Sequence, residues 1–471
     1  MAELAITQTP IPGLLLISLD VRADNRGWFK ENWQREKMIE LGLPDFAPVQ
    51  HNISFNDQAG ATRGIHAEPW DKLVSLATGR IFGAWVDLRA GNGFGRCFTQ
   101  EMGPETAVFV PRGVGNAYQT LTEQTAYSYL VNEHWKPAAR ESYTFVNLAD
   151  ETLAINWPIP LDEAALSDAD KAHPRLADVT PVEPKKILII GAAGQLGRAL
   201  IKALPGAVPI TRDTLDLASP ESIKSFDFAE YRVVINAAGY TKVDAAETWA
   251  GRREAWAVNV GGVAALVDAA RQHHFALVHI SSDYVFDGSE PFHTEDEPFS
   301  PLGVYGQTKA AADAMVESLP AHYVLRTSWV IGEGGNFVRT MASLADNGSN
   351  PEVVDDQFGR LTFTAELSRA IIHLLLVEAP YGTYNLSNDG EPTTWADIAR
   401  AVFATRGRDP ASVRSVTTAE YTVGKTLAPR PRHSVLSLEK IIRSGFQPAD
   451  AMSQLQAYLA TLNQRLAGTV D

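Results

Sequence analysis

The sequence contains a single cysteine, Cys97, among its 471 residues. No internal disulfide, thiol pair or cysteine-based zinc cluster can form, and Cys97 reads as a small strand residue. Long apolar runs are missing too. Stretches such as Ile371 to Val377 are far shorter than the ~20 residues a membrane-spanning helix needs. The first ten residues lack a basic region followed by an apolar run, so no signal peptide is expected. Basic charge is in the minority: 41 Lys and Arg stand against 56 Asp and Glu, a formal net charge of -15. That balance disfavours nucleic acid, whose binding rests on neutralising phosphates, but allows a nucleotide-linked small molecule held in a local basic pocket. A soluble cytoplasmic protein is the expectation, with no membrane contact.

Hydrophobic residues make up 45% and charged residues 21%, a globular composition with enough apolar material for more than one core. At ~100–200 residues per domain, two or three domains are expected. The pattern changes near residue 180. Before it, short runs such as Leu73 to Ala77, Ile81 to Leu88 and Ala107 to Val110 read as strands, with a hairpin turn at Thr78-Gly79-Arg80. A helix is expected around Glu163 to Ala172, then a proline-rich connection. Beyond it, strand-like runs (186–190, 232–236, 277–281, 323–326) alternate with helix-like ones (196–204, 260–273, 309–318), the signature of βαβ units on a parallel sheet. The expected division is residues 1–175, a linker at 176–185, and residues 186–471.

In the second half, Lys186 to Ile190 leads into Gly191-Ala192-Ala193-Gly194-Gln195-Leu196-Gly197 and then a helix-favouring run. A glycine pattern between strand and helix is a dinucleotide site: the turn is tight, the backbone approaches a pyrophosphate, and the helix N-terminus offers N–H groups and positive dipole. Gly191, Gly194, Gln195, Leu196 and Gly197 are therefore cofactor-binding candidates. Arg212 follows the expected second strand, where it suits a ribose 2′-phosphate, so NADPH is favoured over NADH. Tyr305 and Lys309 are four apart and share a helix face. A phenol can protonate a carbonyl oxygen as hydride reaches carbon if a nearby ammonium, here that of Lys309, lowers its pKa toward neutrality, and a hydroxyl from Ser281-Ser282, at a strand end, can polarise that oxygen.

These motifs resemble the extended short-chain dehydrogenase/reductases, in particular the dTDP-4-dehydrorhamnose reductases. Further matching stretches are Val-Ile-Asn-Ala-Ala-Gly-Tyr-Thr-Lys-Val-Asp-Ala-Ala-Glu at 234–247, Ser-Ser-Asp-Tyr-Val-Phe-Asp-Gly at 281–288, Val-Tyr-Gly-Gln-Thr-Lys at 304–309 and Arg-Thr-Ser-Trp-Val at 326–330. The resemblance implies that Ser282, Tyr305 and Lys309 are catalytic and that Ala237, Ala238 and Asn259 line the cofactor groove. It places Asp283, Tyr284 and Trp329 at the sugar and Arg430 at the nucleotide. Ser282 and His433 depart from the usual Thr and Asn.

In the first half, His66, Lys72, Tyr129 and Asp170 are residue types that suit proton abstraction beside a ketone: a base, a cation for the enolate oxygen, an acid, and a carboxylate to orient the imidazole. The segment 12–175 resembles the dTDP-4-dehydrorhamnose 3,5-epimerases, cupin-type jelly rolls. The resemblance rests on Asp-Asn-Arg-Gly-Trp-Phe-Lys-Glu at 24–31, Val-Gln-His-Asn-Ile-Ser at 49–54, Arg-Gly-Ile-His at 63–66, Phe-Val-Pro-Arg-Gly at 109–113 and Leu-Ser-Asp-Ala-Asp at 166–170. It implies His66 as base, Asp170 as its partner, Lys72 as enolate stabiliser and Tyr129 as acid. Arg26, Glu31, Gln50, Asn52 and Arg63 correspond to nucleotide and phosphate contacts. A family histidine is Asn116 here, and a family glutamine is Glu68. Many cupins hold metal through His-x-His, which this chain lacks, so no catalytic metal is expected.

The expected architecture is thus multidomain: an all-β cupin-like jelly roll, then an α/β Rossmann-type parallel sheet with a small substrate-binding part. The two resemblances are to consecutive reactions, 3,5-epimerisation of a dTDP-4-keto-6-deoxy-hexose and reduction of its C4 ketone to dTDP-L-rhamnose. The alternative is a reductase whose degraded first half only binds sugar nucleotide or forms a dimer. A homodimer through the N-terminal domain is expected in either case.

Overall fold

The computed structural model describes residues 3–467, with side chains described to residue 462. It divides into two compact units, Met1–Pro184 and Lys185–Asp471.

The first unit is two antiparallel sheets packed face to face. One runs in the order Ala5–Gln8, Leu15–Ser18, Thr106–Val110, Lys72–Thr78, Thr125–Val131, Gln50–Asn56. The other runs Thr144–Phe145, Thr62–Ala67, Val114–Thr120, Ile81–Asp87, Cys97–Met102. Side chains alternate across each strand. Val74, Leu76 and Val108 of the first sheet therefore meet Trp85, Val114 and Tyr118 of the second in the interior. The opposite faces are covered as well. Leu73, Ala107 and Phe109 pack under Met38, Leu43 and Phe46, and Ile65, Val86 and Ala117 pack under Val146, Leu148 and Leu176.

Two expectations change here. The helix read over 163–172 shrinks to Asp168–Lys171, because Ala165 instead bridges Ala61 in a β-like contact and Ser167 then caps the turn. Of the stretch read as linker, Leu176 is buried and Val182 is hydrogen-bonded to Leu88 and Ala90, so these residues run along the first unit.

The second unit carries six parallel strands in the order Val208–Ile210, Lys186–Ile190, Tyr231–Asn236, Ala276–Ser282, His322–Thr327, Gly382–Leu386. Both faces are covered, so its strands are continuously apolar. Ile189, Ile235, Val278 and Leu325 face one layer of helices, while Leu188, Val234, Leu277 and Val324 face the other. The strand order reverses beside Lys186–Ile190, which opens a crevice at Gly191 and Ala237, where ligands bind in such sheets. A third cluster, including Val338, Met341, Phe363, Ile398 and Phe403, forms a smaller part built on the helices Phe337–Asp346 and Trp395–Thr405. Among the described residues no helix is long and apolar enough to cross a membrane.

Candidate active sites

In the first unit, His66 lies near the end of the strand Thr62–Ala67, and Asp170 sits in the short turn capped by Ser167. The His66 Nε2 is 2.8 Å from Asp170 Oδ1, and Ser167 Oγ donates to Oδ2 at 2.8 Å. Burial alone would push the Asp170 carboxyl up. Hydrogen bonds from His66 and Ser167, and the charge of nearby imidazoles, outweigh it and hold the group below its usual value. With Nε2 committed to the carboxylate, the free nitrogen of His66 is Nδ1. The dyad opens on a cavity of about 560 Å³ lined also by Arg63, Trp135, Tyr143 and Phe145.

Lys72 and Tyr129 stand on neighbouring strands, with the Lys72 ammonium 5.0 Å from the Tyr129 ring centroid. Burial first, then the Glu68 carboxylate, pushes the Tyr129 phenol up to about 12 and keeps it protonated. Glu68, standing where a family glutamine was expected, binds the Lys72 ammonium at 2.5 Å and accepts from Trp70. It gives Lys72 a counterion that glutamine could not. Asn116 pairs with the Tyr127 hydroxyl at 3.0 Å and is buried, so its amide is used inside the barrel. Gln50 and Asn52 bond to each other, and Gln50 also accepts from the Trp135 N–H. Arg26 and Glu31 flank an exposed hairpin strand and pair with Asp24 and Lys37, outside the cavity. Sequence reading missed Tyr143 and His173, neither of which carries a local motif; folding alone brings them to the dyad.

In the second unit, Gly191 adopts φ 82° beneath Ala237 and Ala238, and a Cβ there would lie 2.7 Å from the Ala238 nitrogen. A Cβ on Gly197 would lie 2.2 Å from the Gly191 carbonyl oxygen, so only glycine lets helix and strand approach this closely. The helix Gln195–Ala203 starts at Gly194 with no side-chain cap, leaving its first N–H groups for an anion. The Gln195 side chain reaches the Gly335 carbonyl, and Leu196 is buried in the core, so any contact from Leu196 to a cofactor comes from its backbone. Arg212 follows the strand Val208–Ile210, exposed and 3.3 Å from Asp216. Asn259 is buried. Its amide bonds both the N–H and C=O of Tyr240 and the Thr308 hydroxyl, tying the Ala237–Tyr240 loop to the helix Val304–Val316.

Ser282 ends its strand, and Tyr305 and Lys309 project from the first turns of Val304–Val316. Burial, then the Asp283 carboxylate, pushes the Tyr305 phenol up to about 12, partly offset by a hydrogen bond with Ser282. The sequence reading had Lys309 lowering this phenol. The Lys309 ammonium instead bonds the Ile280 carbonyl at 2.5 Å and lies 3.2 Å from His279 Nε2. Burial lowers Lys309 to about 8, opposed by Asp313 one turn on. The phenol is thus held protonated, the state a proton donor needs.

Asp283 is buried beside Ser282 at 2.9 Å, and burial raises it to about 6. The Tyr284 and Tyr305 rings meet edge-on at 5.6 Å. Arg430 grips Asp244 through two 2.9 Å bonds and lines a cavity of about 530 Å³ with Gln357 and Trp395. Trp329 adopts φ 44° and stacks on Trp395 at 3.8 Å.

A glycine-cradled dinucleotide crevice with a Ser–Tyr–Lys set defines a carbonyl reductase of the short-chain dehydrogenase class, here continuous with a jelly roll that holds a His–Asp base. Residues 185–464 match the family described as RmlD substrate binding domain, and residues 8–178 match the family described as dTDP-4-dehydrorhamnose 3,5-epimerase. The chain is 38% identical over 297 residues to dTDP-4-dehydrorhamnose reductase from Aggregatibacter actinomycetemcomitans, covering 58% of this chain and 99% of that protein. It is 49% identical over 182 residues to a protein RmlC homolog from Streptococcus pyogenes serotype M6, covering 38% of this chain and 91% of that one. The solved dTDP-4-dehydrorhamnose reductase from Bacillus anthracis in complex with NADP superposes with a TM-score of 0.54 at 30% identity, over 59% of this chain and 99% of that one. The chain belongs to both families: the dTDP-4-dehydrorhamnose 3,5-epimerases through its first unit and the dTDP-4-dehydrorhamnose reductases through its second.

Proposed function

We propose that one chain carries out two successive steps on a dTDP-4-keto-6-deoxy-hexose, ending in dTDP-L-rhamnose, and that the residues above divide the work as follows. The observation that carries this reading is the presence of both constellations, His66–Asp170 with Lys72 and Tyr129, and Ser282 with Tyr305 and Lys309, in a single chain. In the first unit, Nδ1 of His66 takes a proton from the carbon beside the ketone, Asp170 steadies the imidazolium, Lys72 holds the enolate oxygen, and Tyr129 returns a proton from the opposite face. Arg63 stands at the cavity for the diphosphate.

In the second unit, the cradle at Gly191, Gly194 and Gly197 and the uncapped helix start fit a dinucleotide pyrophosphate. Bound NADPH supplies hydride; Arg212 favours it over NADH by attracting a 2′-phosphate. Ser282 polarises the C4 carbonyl oxygen, Tyr305 donates the proton, and Lys309 replenishes it. Asp283, Tyr284 and Trp329 face the sugar, and Arg430 faces the nucleotide.

Exposed Trp28 and Phe29 on the hairpin, and Ile53 and Phe55 on the strand Gln50–Asn56, support a homodimer through the first unit, which light scattering would detect. Substrate and cofactor are cytoplasmic solutes, which is the ground for placing the enzyme there. The test is product identification from dTDP-4-keto-6-deoxy-glucose plus NADPH, with deuterium exchange at C3 and C5 followed without cofactor. His66→Ala should abolish exchange yet still allow reduction of pre-epimerised substrate. Exchange at the wild-type rate in His66→Ala would overturn the base assignment.

A further inference from the structure

We propose that His66, Asp170 and His173 form a reversible inhibitory site for a transition-metal dication of the Zn²⁺ type. The proposal rests on reading His66–Asp170 as the epimerase dyad. His173, three residues after Asp170, turns its Nε2 to within 3.2 Å of the same Oδ1 that His66 Nε2 contacts at 2.8 Å. The ligand atoms of all three residues lie within 4.8 Å of one another. A tetrahedral zinc with bonds of about 2.0–2.1 Å needs ligand atoms about 3.3–3.4 Å apart; the two contacts to Asp170 are near that spacing, and side-chain rotation has to draw in the widest separation, at most 4.8 Å. Two imidazoles and a carboxylate are the ligand types such ions choose.

The surroundings resemble an outer ligand shell. Ser167 donates to Asp170 Oδ2 at 2.8 Å and receives the Asp170 N–H at 3.1 Å, which fixes the carboxylate. Phe145 stacks on the His173 ring at 4.6 Å and meets the His66 ring edge-on at 5.3 Å, which fixes both imidazoles. All three residues line the cavity, which would give a bound ion room for water as a fourth ligand. Among the described residues this is the one such group, and burial of the Cys97 thiol, pushed up to about 11, removes the competing soft ligand.

Metal binding would silence the base by a tautomer change. In the free dyad His66 carries its proton on Nε2, facing Asp170, and keeps Nδ1 for the substrate. A dication on Nε2 obliges the ring to hold its proton on Nδ1, so no lone pair is left to accept the sugar's proton. The Ser282–Tyr305–Lys309 set in the other unit lacks these ligands and is not affected.

The experiment uses the full chain, stripped with EDTA. Titration with Co²⁺ alone should give visible ligand-field bands of tetrahedral intensity. Zn²⁺ should stop C3 and C5 exchange in deuterated water, EDTA should restore it, and reduction of pre-epimerised substrate should continue throughout. His173→Asn should weaken Co²⁺ binding and Zn²⁺ inhibition, each relative to the variant's own metal-free rate, by at least about 30-fold. His66→Gln, read by cobalt bands alone, should lose the site too, and an unchanged thermal transition of the first unit, followed by near-UV circular dichroism, checks folding in both variants. Equal Zn²⁺ inhibition in wild type and His173→Asn, or wild type without tetrahedral cobalt bands, would overturn the proposal. A wild type that binds Co²⁺ but never exchanges C3 or C5 would instead overturn the epimerase reading and leave the metal site standing.

Discussion

Lys309 shows how much a single position can carry. Its ammonium is buried against the Ile280 carbonyl and His279, and burial brings its value from 10.5 to about 8. The ammonium form, present below that value, is the one that the proposed replenishing of the Tyr305 proton requires. NADPH-dependent reduction should therefore fall as pH rises past about 8, by about tenfold per unit, the slope of one ionisation. Lys309→Arg keeps the charge but releases no proton in this range, so kcat should fall at every pH; an active variant with a flat kcat/KM profile would show that Lys309 acts through its charge alone. The stability consequence has the opposite sense. An unfolded lysine titrates at its ordinary value, so holding Lys309 charged costs the fold below pH 8, and the cost fades between 8 and 10.5. Lys309→Met should raise the thermal midpoint at pH 7 while destroying turnover. Glu68 is the matching case in the first unit. Its carboxylate neutralises Lys72 at 2.5 Å, so Glu68→Gln should leave Lys72 freer to attract the enolate and should raise C3 and C5 exchange several-fold. Slower exchange in that variant would mean that Glu68 holds Lys72 in place instead.

At the scale of elements, each site is made by a strand end meeting something remote. Trp329 lies just past the strand His322–Thr327 and is pinned in a left-handed conformation by its stack on Trp395. Gly359 makes room for it, since a Cβ there would lie 2.6 Å from the indole. Gly359→Ala should cost about 1–3 kcal/mol, the range for overpacking, and raise the sugar-nucleotide KM in steady-state assays more than it lowers kcat. Arg212 follows a three-residue strand on the sheet edge, exposed with only Asp216 nearby. Arg212→Asp should move the NADPH-to-NADH ratio of kcat/KM toward NADH, because a carboxylate repels a 2′-phosphate and accepts from a 2′-hydroxyl. An unchanged ratio would reduce Arg212 to a surface charge.

At the scale of the whole molecule, the two units have separate cores and separate chemistries. Residues 1–184 and 185–471 produced as separate proteins should each keep their own reaction, exchange in the first and reduction in the second. Covalent linkage should keep the second site near the first product, at an effective concentration on the order of mM. Mixed halves at low concentration should then release more epimerised intermediate into solution than the intact chain, as read by trapping it with added reductase. Equal release would show that the fusion gives no advantage of proximity.

The reductase half was largely legible in the sequence, because its chemistry is written in local spacing. Gly191 to Gly197 must lie between a strand and a helix, and Tyr305 and Lys309 must share a face four residues apart, so short motifs specify both. The jelly roll was less legible. The residues proposed as its base, carboxylate and cation sit at 66, 170 and 72, on different strands and a short turn, and only family resemblance joined them. The helix over 163–172 failed because the bridge between Ala165 and Ala61, a long-range contact, overrode local propensity. The sequence by itself determined the two fold classes, the glycine cradle and the Tyr–Lys pair, all set by periodicity and spacing along the chain. Tertiary structure alone decided that His173 joins the dyad, that Glu68 neutralises Lys72, and that Lys309 is buried against His279. Each of these depends on groups brought together by packing, and packing sets their distances and their access to water.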